Sequence, residues 1–148
     1  MKQIIFILGC LFFVTSIANS QVILSNDTVA CGSFNDTLYA ISQELSGITA
    51  DDDHGPVVPL GFTFNFYGVP YTQIVISGNG YLTFDLNQGN QYSPWSINNP
   101  IPDPGSVPEN AILAPWQDIH SGIGGEITFG TVGIAPNRQF IVTWCGVP

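Results

Sequence analysis

Between residues 61 and 86 the chain reads GFTFNFYGVPYTQIVISGNGYLTFDL, with apolar residues recurring at alternate positions through most of it. Side chains alternate across an extended strand, so Phe62, Phe64 and Phe66 fall on one face while Thr63, Asn65 and Tyr67 fall on the other. Gln73 to Ser77 forms the next strand, with Ile74 and Ile76 on one side. Tyr81 to Leu86 follows, with Leu82, Phe84 and Leu86 sharing a face. Gly78-Asn79-Gly80 between them supplies residues that tolerate positive φ, as a tight hairpin requires. The stretch is predicted to form three consecutive antiparallel strands.

From Asn87 to Asn110 the alternation stops and prolines stand at 94, 100, 102, 104 and 108. Such a segment cannot pair as a central strand, and structureless loops of that length are usually functional or disordered. Tyr92 and Trp95 lie within it, either tacking the loop to the body of the domain or forming an exposed aromatic contact platform. Strand patterns resume at Ala111 to Trp116, Glu126 to Thr131 and Arg138 to Trp144, separated by SGIGG and GIAPN turns. Weaker strand signals lie upstream at Gln21 to Leu24 and Thr37 to Ile41. No segment sustains the three-four spacing of an amphipathic helix. Six to nine short strands with Gly and Pro turns predict an all-β, antiparallel β-sandwich.

The first twenty residues stand apart. Lys2 precedes an apolar run from Ile4 to Ala18, followed by Asn19-Ser20-Gln21, which is the order of a secretory signal peptide cut after Ser20. The run is shorter than the ~20 apolar residues of a spanning helix, so no membrane insertion is expected after its removal. Residues 21 to 148 then form a single sandwich domain. Because a strand pattern is still running at Trp144, that domain is read as the front piece of a longer protein.

Removing the leader leaves eleven carboxylates against Arg138, a formal charge of −10. Nucleic acid is excluded as a partner, since phosphate binding draws its affinity from Lys and Arg. An anionic membrane surface is disfavoured for the same reason. Two cysteines remain, Cys31 and Cys145, which in an exported chain could pair with each other or with partners elsewhere.

Candidate chemistry is sparse. Asp51, Asp52 and Asp53 form the densest ligand cluster, with His54 beside them; calcium, a hard ion taking oxygen ligands, is the cation that would suit them. The spacing matches no calcium loop, and a solvated acidic turn is the simpler reading. Asp118 and His120 flank Ile119 and would project together from an extended segment, as a ligand contact or as hydrogen-bonding groups around a loop. No nucleophile elbow is present. A glycosidase would need two facing carboxylates, for which Glu109, Asp118 and Glu126 are the candidates. Thr28 and Thr37 each close an Asn-Asp-Thr triplet, which is either a glycosylation acceptor or turn chemistry.

Taken in order, the elements GFTFNFYG, GNGY, YSPW, APWQDI and APNR resemble the N-terminal β-rich domain of large secreted Bacteroidetes proteins that end in a gliding-motility-associated sorting domain. More loosely, the segment is similar to the nidogen-type extracellular domain of adhesion proteins. The resemblance implies a secreted or cell-surface module, exported by the type IX route, that meets an extracellular protein or glycan surface without catalysis. It carries over no catalytic residues and no cofactor. It also implies further cysteines downstream as partners for Cys145, and O-glycan acceptors at Thr28 and Thr37, where Asp-Thr precedes an aliphatic residue. The alternative function is a carbohydrate-binding module or part of a carbohydrate-active enzyme, with sugar against Trp95 or Trp116.

Overall fold

A computed structural model describes residues 20–23, 39–96, 100–101, 103–106 and 108–148. Chain contacts divide it into two units, residues 1–43 and 44–148. The described part of the first unit is an antiparallel pair, β1 (Ser20–Ile23) with β2 (Tyr39–Ser42). Residues 1 to 19 of the leader, Thr28, Cys31 and Thr37 lie outside the described residues, while Ser20, its last residue, opens β1.

The second unit contains two antiparallel sheets. One has the order β3-β8-β9, from Glu44–Leu45, Glu126–Val132 and Gln139–Cys145. The other has the order β4-β5-β6-β7, from His54–Phe66, Val69–Ser77, Tyr81–Thr83 and Ala111–Leu113. A single core joins them into a β-sandwich. Val58, Leu60, Ile74, Ile76 and Phe84 meet Ile127 and Phe129 from the opposite sheet, with Ile48 closing one end. Burying a side chain as fully as Ile74 or Ile76 contributes about 1.5–3 kcal/mol, so these alternating positions carry much of the fold. The phenylalanine face behaves as its period predicts. Phe64, Phe66 and Tyr71 gather around Phe84, with ring centroids 5.8, 4.8 and 4.4 Å from it.

Element bounds depart from the sequence expectation chiefly in four places, one of them the end of β7 at Leu113 rather than Trp116. Strand β4 starts at His54 and runs through Pro56 and Pro59, which a central strand would not tolerate. It stands at the edge of its sheet, and its register with β5 slips between His54 and Val57 and again between Pro59 and Phe64. The break at residues 67 to 70 is a two-residue turn at Tyr67 and Gly68, both at positive φ, with Val69 and Pro70 already in β5. Tyr67 therefore leaves the strand face on which its parity placed it. Finally, β6 ends at Thr83, because Asp85 caps a 3₁₀ turn at Leu86–Gln88. Its carboxylate accepts from the Gln88 side chain at 3.2 Å and from the Asn87 backbone and side chain at 3.1 and 3.0 Å. The Gln88 bond foremost, with those from Asn87, holds the Asp85 carboxyl below its ordinary range. Leu86 is left exposed, while Tyr81 and Thr83 are buried on the other face.

The sheets are also stitched by polar groups. The Trp144 indole donates to the Ser77 carbonyl at 3.0 Å, Thr131 to the Leu60 carbonyl at 2.8 Å and Arg138 to the Gly61 carbonyl at 3.0 Å.

Candidate functional site

At the end of the four-stranded sheet where β5 turns into β6, five polar side chains are buried: His54, Ser77, Asn79, Tyr81 and Ser93. Burial of such groups is tolerated only when they are paired, and here they are paired in series. His54 Nδ1 faces the carbonyls of Gln91 and Tyr92 at 3.3 and 3.1 Å, so this nitrogen carries the proton. Nε2 is then the acceptor for the Tyr81 hydroxyl at 2.7 Å. Ser93 donates to the Tyr81 oxygen at 3.3 Å, Ser77 supplies the hydrogen of the 2.6 Å contact with Ser93, and the Asn79 backbone N–H donates to the Ser77 hydroxyl at 2.9 Å. Burial pushes the His54 imidazole below its ordinary value and the Tyr81 phenol above its own, which keeps both neutral.

Asn79 is the hub. Its side-chain amide donates to the Asp52 carboxylate at 2.9 Å and to the Ser93 carbonyl at 3.0 Å, while its oxygen accepts the Ile119 backbone at 3.2 Å. One residue thereby ties the acidic turn, the long loop and the segment after β7. Neither Gly78 nor Asn79 adopts positive φ; Gly80 alone does, at +77°. Gly78 is needed for a close approach instead, since a Cβ there would lie 3.0 Å from the Asp53 carbonyl.

The acidic turn sits on this platform. Asp51, Asp52 and Asp118 each offer a carboxylate oxygen within 4.8 Å of the others, a donor set of the kind a hard cation takes. Asp53 is not in that group; its backbone instead bridges Tyr92. His120 Nδ1 accepts the Gly122 amide at 3.1 Å, which leaves Nε2 as the protonated nitrogen, 3.8 Å from the Asp51 carboxylate. Asp118 and His120 thus both belong to the Asp51 surroundings. Glu109 lies elsewhere, in the cleft described next, and Glu126 opens β8 on the surface.

That cleft, of about 340 Å³, lies beside the descending part of the long loop. Phe66, Tyr67, Leu113 and Trp116 provide apolar wall, and Asp103 and Glu109 provide carboxylates. Tyr67 stands at the hairpin apex, 93% exposed and at φ +46°, where a bulky side chain is strained. Trp116 donates its indole N–H to the Pro94 carbonyl at 2.9 Å, so it also fastens the loop. Thr83 donates to the Glu109 carbonyl at 2.9 Å and Asn110 to the Tyr71 hydroxyl at 2.8 Å, fastening the loop's far end. Tyr92 and Trp95 remain 60% and 43% exposed on the part of the loop nearer the network.

Cys145 ends β9, exposed and with a free thiol. Sequence reasoning missed Asn79, Tyr81 and Ser93, which read as turn, strand and loop residues. It also read Tyr67 as a strand residue. The Tyr-Gly dipeptide before Val-Pro was a usable signal for the turn that exposes it.

A family model described as NIDO related matches residues 28–148. Alpha-tectorin from Mus musculus and alpha-tectorin from Homo sapiens are each 34% identical to the chain over 80 residues, 53% of this chain and 3% of either relative. The chain thus spans a small fraction of the length of these relatives. No solved structure gives a significant match. The match covers the whole sandwich, both fastened ends of the long loop and the acidic turn, and it agrees with the nidogen-type resemblance of the strand motifs: the chain belongs to the NIDO-related family.

Proposed function

We propose that the protein is a secreted, non-catalytic β-sandwich module of a cell surface, which meets an extracellular polypeptide through the aromatic cleft and the ridge formed by Tyr92 and Trp95. The observation that carries this reading is Tyr67. A left-handed backbone costs a non-glycine residue on the order of 1–2 kcal/mol, and Asn or Gly would turn this hairpin more cheaply. A strained tyrosine that buries almost nothing in its own fold is a residue placed for contact. Rigid aromatics on a fastened loop suit binding, because little entropy is lost when they engage.

The finer context, a surface protein of a gliding bacterium exported by the type IX route, rests on the ordered motifs between residues 61 and 144 and on the apolar leader. A sugar-binding module is the second reading, favoured by the pairing of Trp116 with the carboxylates of Asp103 and Glu109 in one cleft. Beads coated with the chain and scored for attachment to extracellular protein films test the first. Tyr67→Ala is expected to reduce attachment at least tenfold without lowering the thermal midpoint, whereas unchanged attachment would remove the cleft from the contact. Inhibition of attachment by free oligosaccharides would move the assignment to the sugar-binding reading.

A further inference from the structure

The aromatic cleft holds a carboxylate that the chain positions with some care. Asp103-Pro104-Gly105-Ser106 closes with the Ser106 amide on the Asp103 carbonyl at 3.0 Å. Pro104 takes the second position and Gly105 the third, at φ +87°, which is the arrangement of a type II turn. The Gly105 amide, presented by that turn, donates to Oε1 of Glu109. The backbone of Glu109 is held from the other side, because Thr83 donates to its carbonyl at 2.9 Å and the next carbonyl, of Asn110, accepts the Phe84 amide at 3.0 Å. Glu109 stays exposed while so held, and its carboxylate is oriented before any ligand arrives.

Charge in the cleft has one sign. Asp103 and Glu109 share its wall with Phe66, Tyr67 and Trp116, and its lining contains no Lys, Arg or His among the described residues. Arg138, the one Lys or Arg side chain among those residues, lines a different groove and donates to the Gly61 carbonyl at 3.0 Å. The charge of −10 on residues 21 to 148 adds a field of the same sign. A volume of about 340 Å³ is at the small end of ligand clefts, which run to roughly 300–1,000 Å³, and suits one long side chain rather than a helix or a folded domain.

We infer that the cleft is a receptor for an arginine side chain of an extracellular polypeptide, the guanidinium lying against Tyr67 and Trp116 with its N–H groups on Glu109. The inference rests on the reading of this cleft as a polypeptide contact and names the residue that it grips. A guanidinium meets both features of the wall at once. It is planar and weakly hydrated, so it stacks on aromatic rings, and its fork of donors matches a carboxylate. A lysine ammonium is a strongly hydrated point charge and gains less from the aromatic wall. A neutral sugar could stack on Trp116 but would leave the charge of Asp103 and Glu109 uncompensated. Free arginine is disfavoured because its own carboxylate would enter a field of its own sign.

The full chain titrated with the acetylated and amidated peptide Gly-Ser-Arg-Ser-Gly, with the Trp116 indole and Tyr67 ring resonances followed by NMR, tests the assignment. A saturable shift is expected, with Overhauser contacts from the arginine δ-protons to both rings. Citrulline in place of the arginine keeps the shape without the charge and is expected to bind at least tenfold more weakly, and lysine at least threefold more weakly. Glu109→Gln retains an oxygen for the Gly105 amide; it is expected to leave the thermal midpoint unchanged and to weaken binding at least fivefold at low salt, and less in about 0.5 M salt, where exposed charges are screened. No saturable shift at about 20 mM peptide would overturn the inference, as would citrulline or lysine binding as tightly as arginine. Shifts produced by a free oligosaccharide and not by the arginine peptide would replace the arginine with a sugar. Bead attachment separates this inference from the reading beneath it. Attachment lost in Tyr67→Ala but unchanged in Glu109→Gln, and not competed by the peptide, would overturn the arginine and leave the polypeptide contact standing, whereas attachment unchanged in both variants would remove the cleft and the inference together.

Discussion

His54 shows how a single buried side chain sets a pH limit on the fold. Desolvation lowers its pKa below 6.5, and the carbonyls of Gln91 and Tyr92 offset this only in part. The folded state therefore binds fewer protons than the unfolded chain in this range. The corresponding stability is fully present above about pH 6.5 and is lost as pH falls through the lower folded-state value. Protonation of Nε2 would also force the Tyr81 hydroxyl to give up its donation, which breaks the series at its second member. His54→Gln is expected to lower stability at pH 7.5 by about 1–3 kcal/mol, the usual cost of orphaning a buried partner. Denaturant midpoints between pH 7 and 5.5 should at the same time lose most of their slope. A wild-type slope retained in the variant would place the titration elsewhere.

Among the elements, the long loop is the one whose behaviour the network decides. It is fastened by His54 and Ser93 at one point, by Trp116 at a second and by Thr83 at a third, so its ends are held to the sandwich although none of its described residues belongs to a sheet. Trp116→Phe keeps the ring and deletes the bond to Pro94, a net change of about 1 kcal/mol. The amides of residues 91 to 93, 95 and 96 are expected to exchange about fivefold faster, with β4 and β5 unaffected. Uniform acceleration across the domain would mean that Trp116 supports the core rather than the loop. The strands themselves were legible because Phe62, Phe64 and Phe66 carry the period in their own sequence. The run of β4 through Pro56 and Pro59 was not, since it depends on edge position, which is a property of the finished sheet. The end of β6 was lost because Asp85 caps a turn more strongly than Leu86 continues an alternation. The buried network was illegible for a related reason: Asn79 is an ordinary turn residue until Ile119, forty positions away, reaches its side chain.

At the scale of the molecule, charge is the dominant stress. Eleven carboxylates face one arginine in residues 21 to 148, and three of them, Asp51, Asp52 and Asp118, come within 4.8 Å of one another on the surface. The His120 ring near Asp51 and the Asn79 amide on Asp52 soften that contact without adding a fixed positive charge at neutral imidazole. Repulsion of this kind lowers the stability of the compact state and is screened by salt over about 10 Å at 0.1 M. Raising sodium chloride from 10 to 200 mM in EDTA is therefore expected to raise the thermal midpoint. Asp118→Asn should achieve part of the same gain at low salt, because an exposed like-charge contact costs roughly 0.2–0.5 kcal/mol, or about 1–4 °C for a domain of this size. The two effects share a cause, so the variant should respond less to salt than the wild type does. Salt responses that are equal in both proteins would assign the stress to the diffuse charge of the whole surface. A fall in the Asp118→Asn midpoint would mean that its carboxylate is held by a favourable partner, and the repulsion argument for the turn would fail.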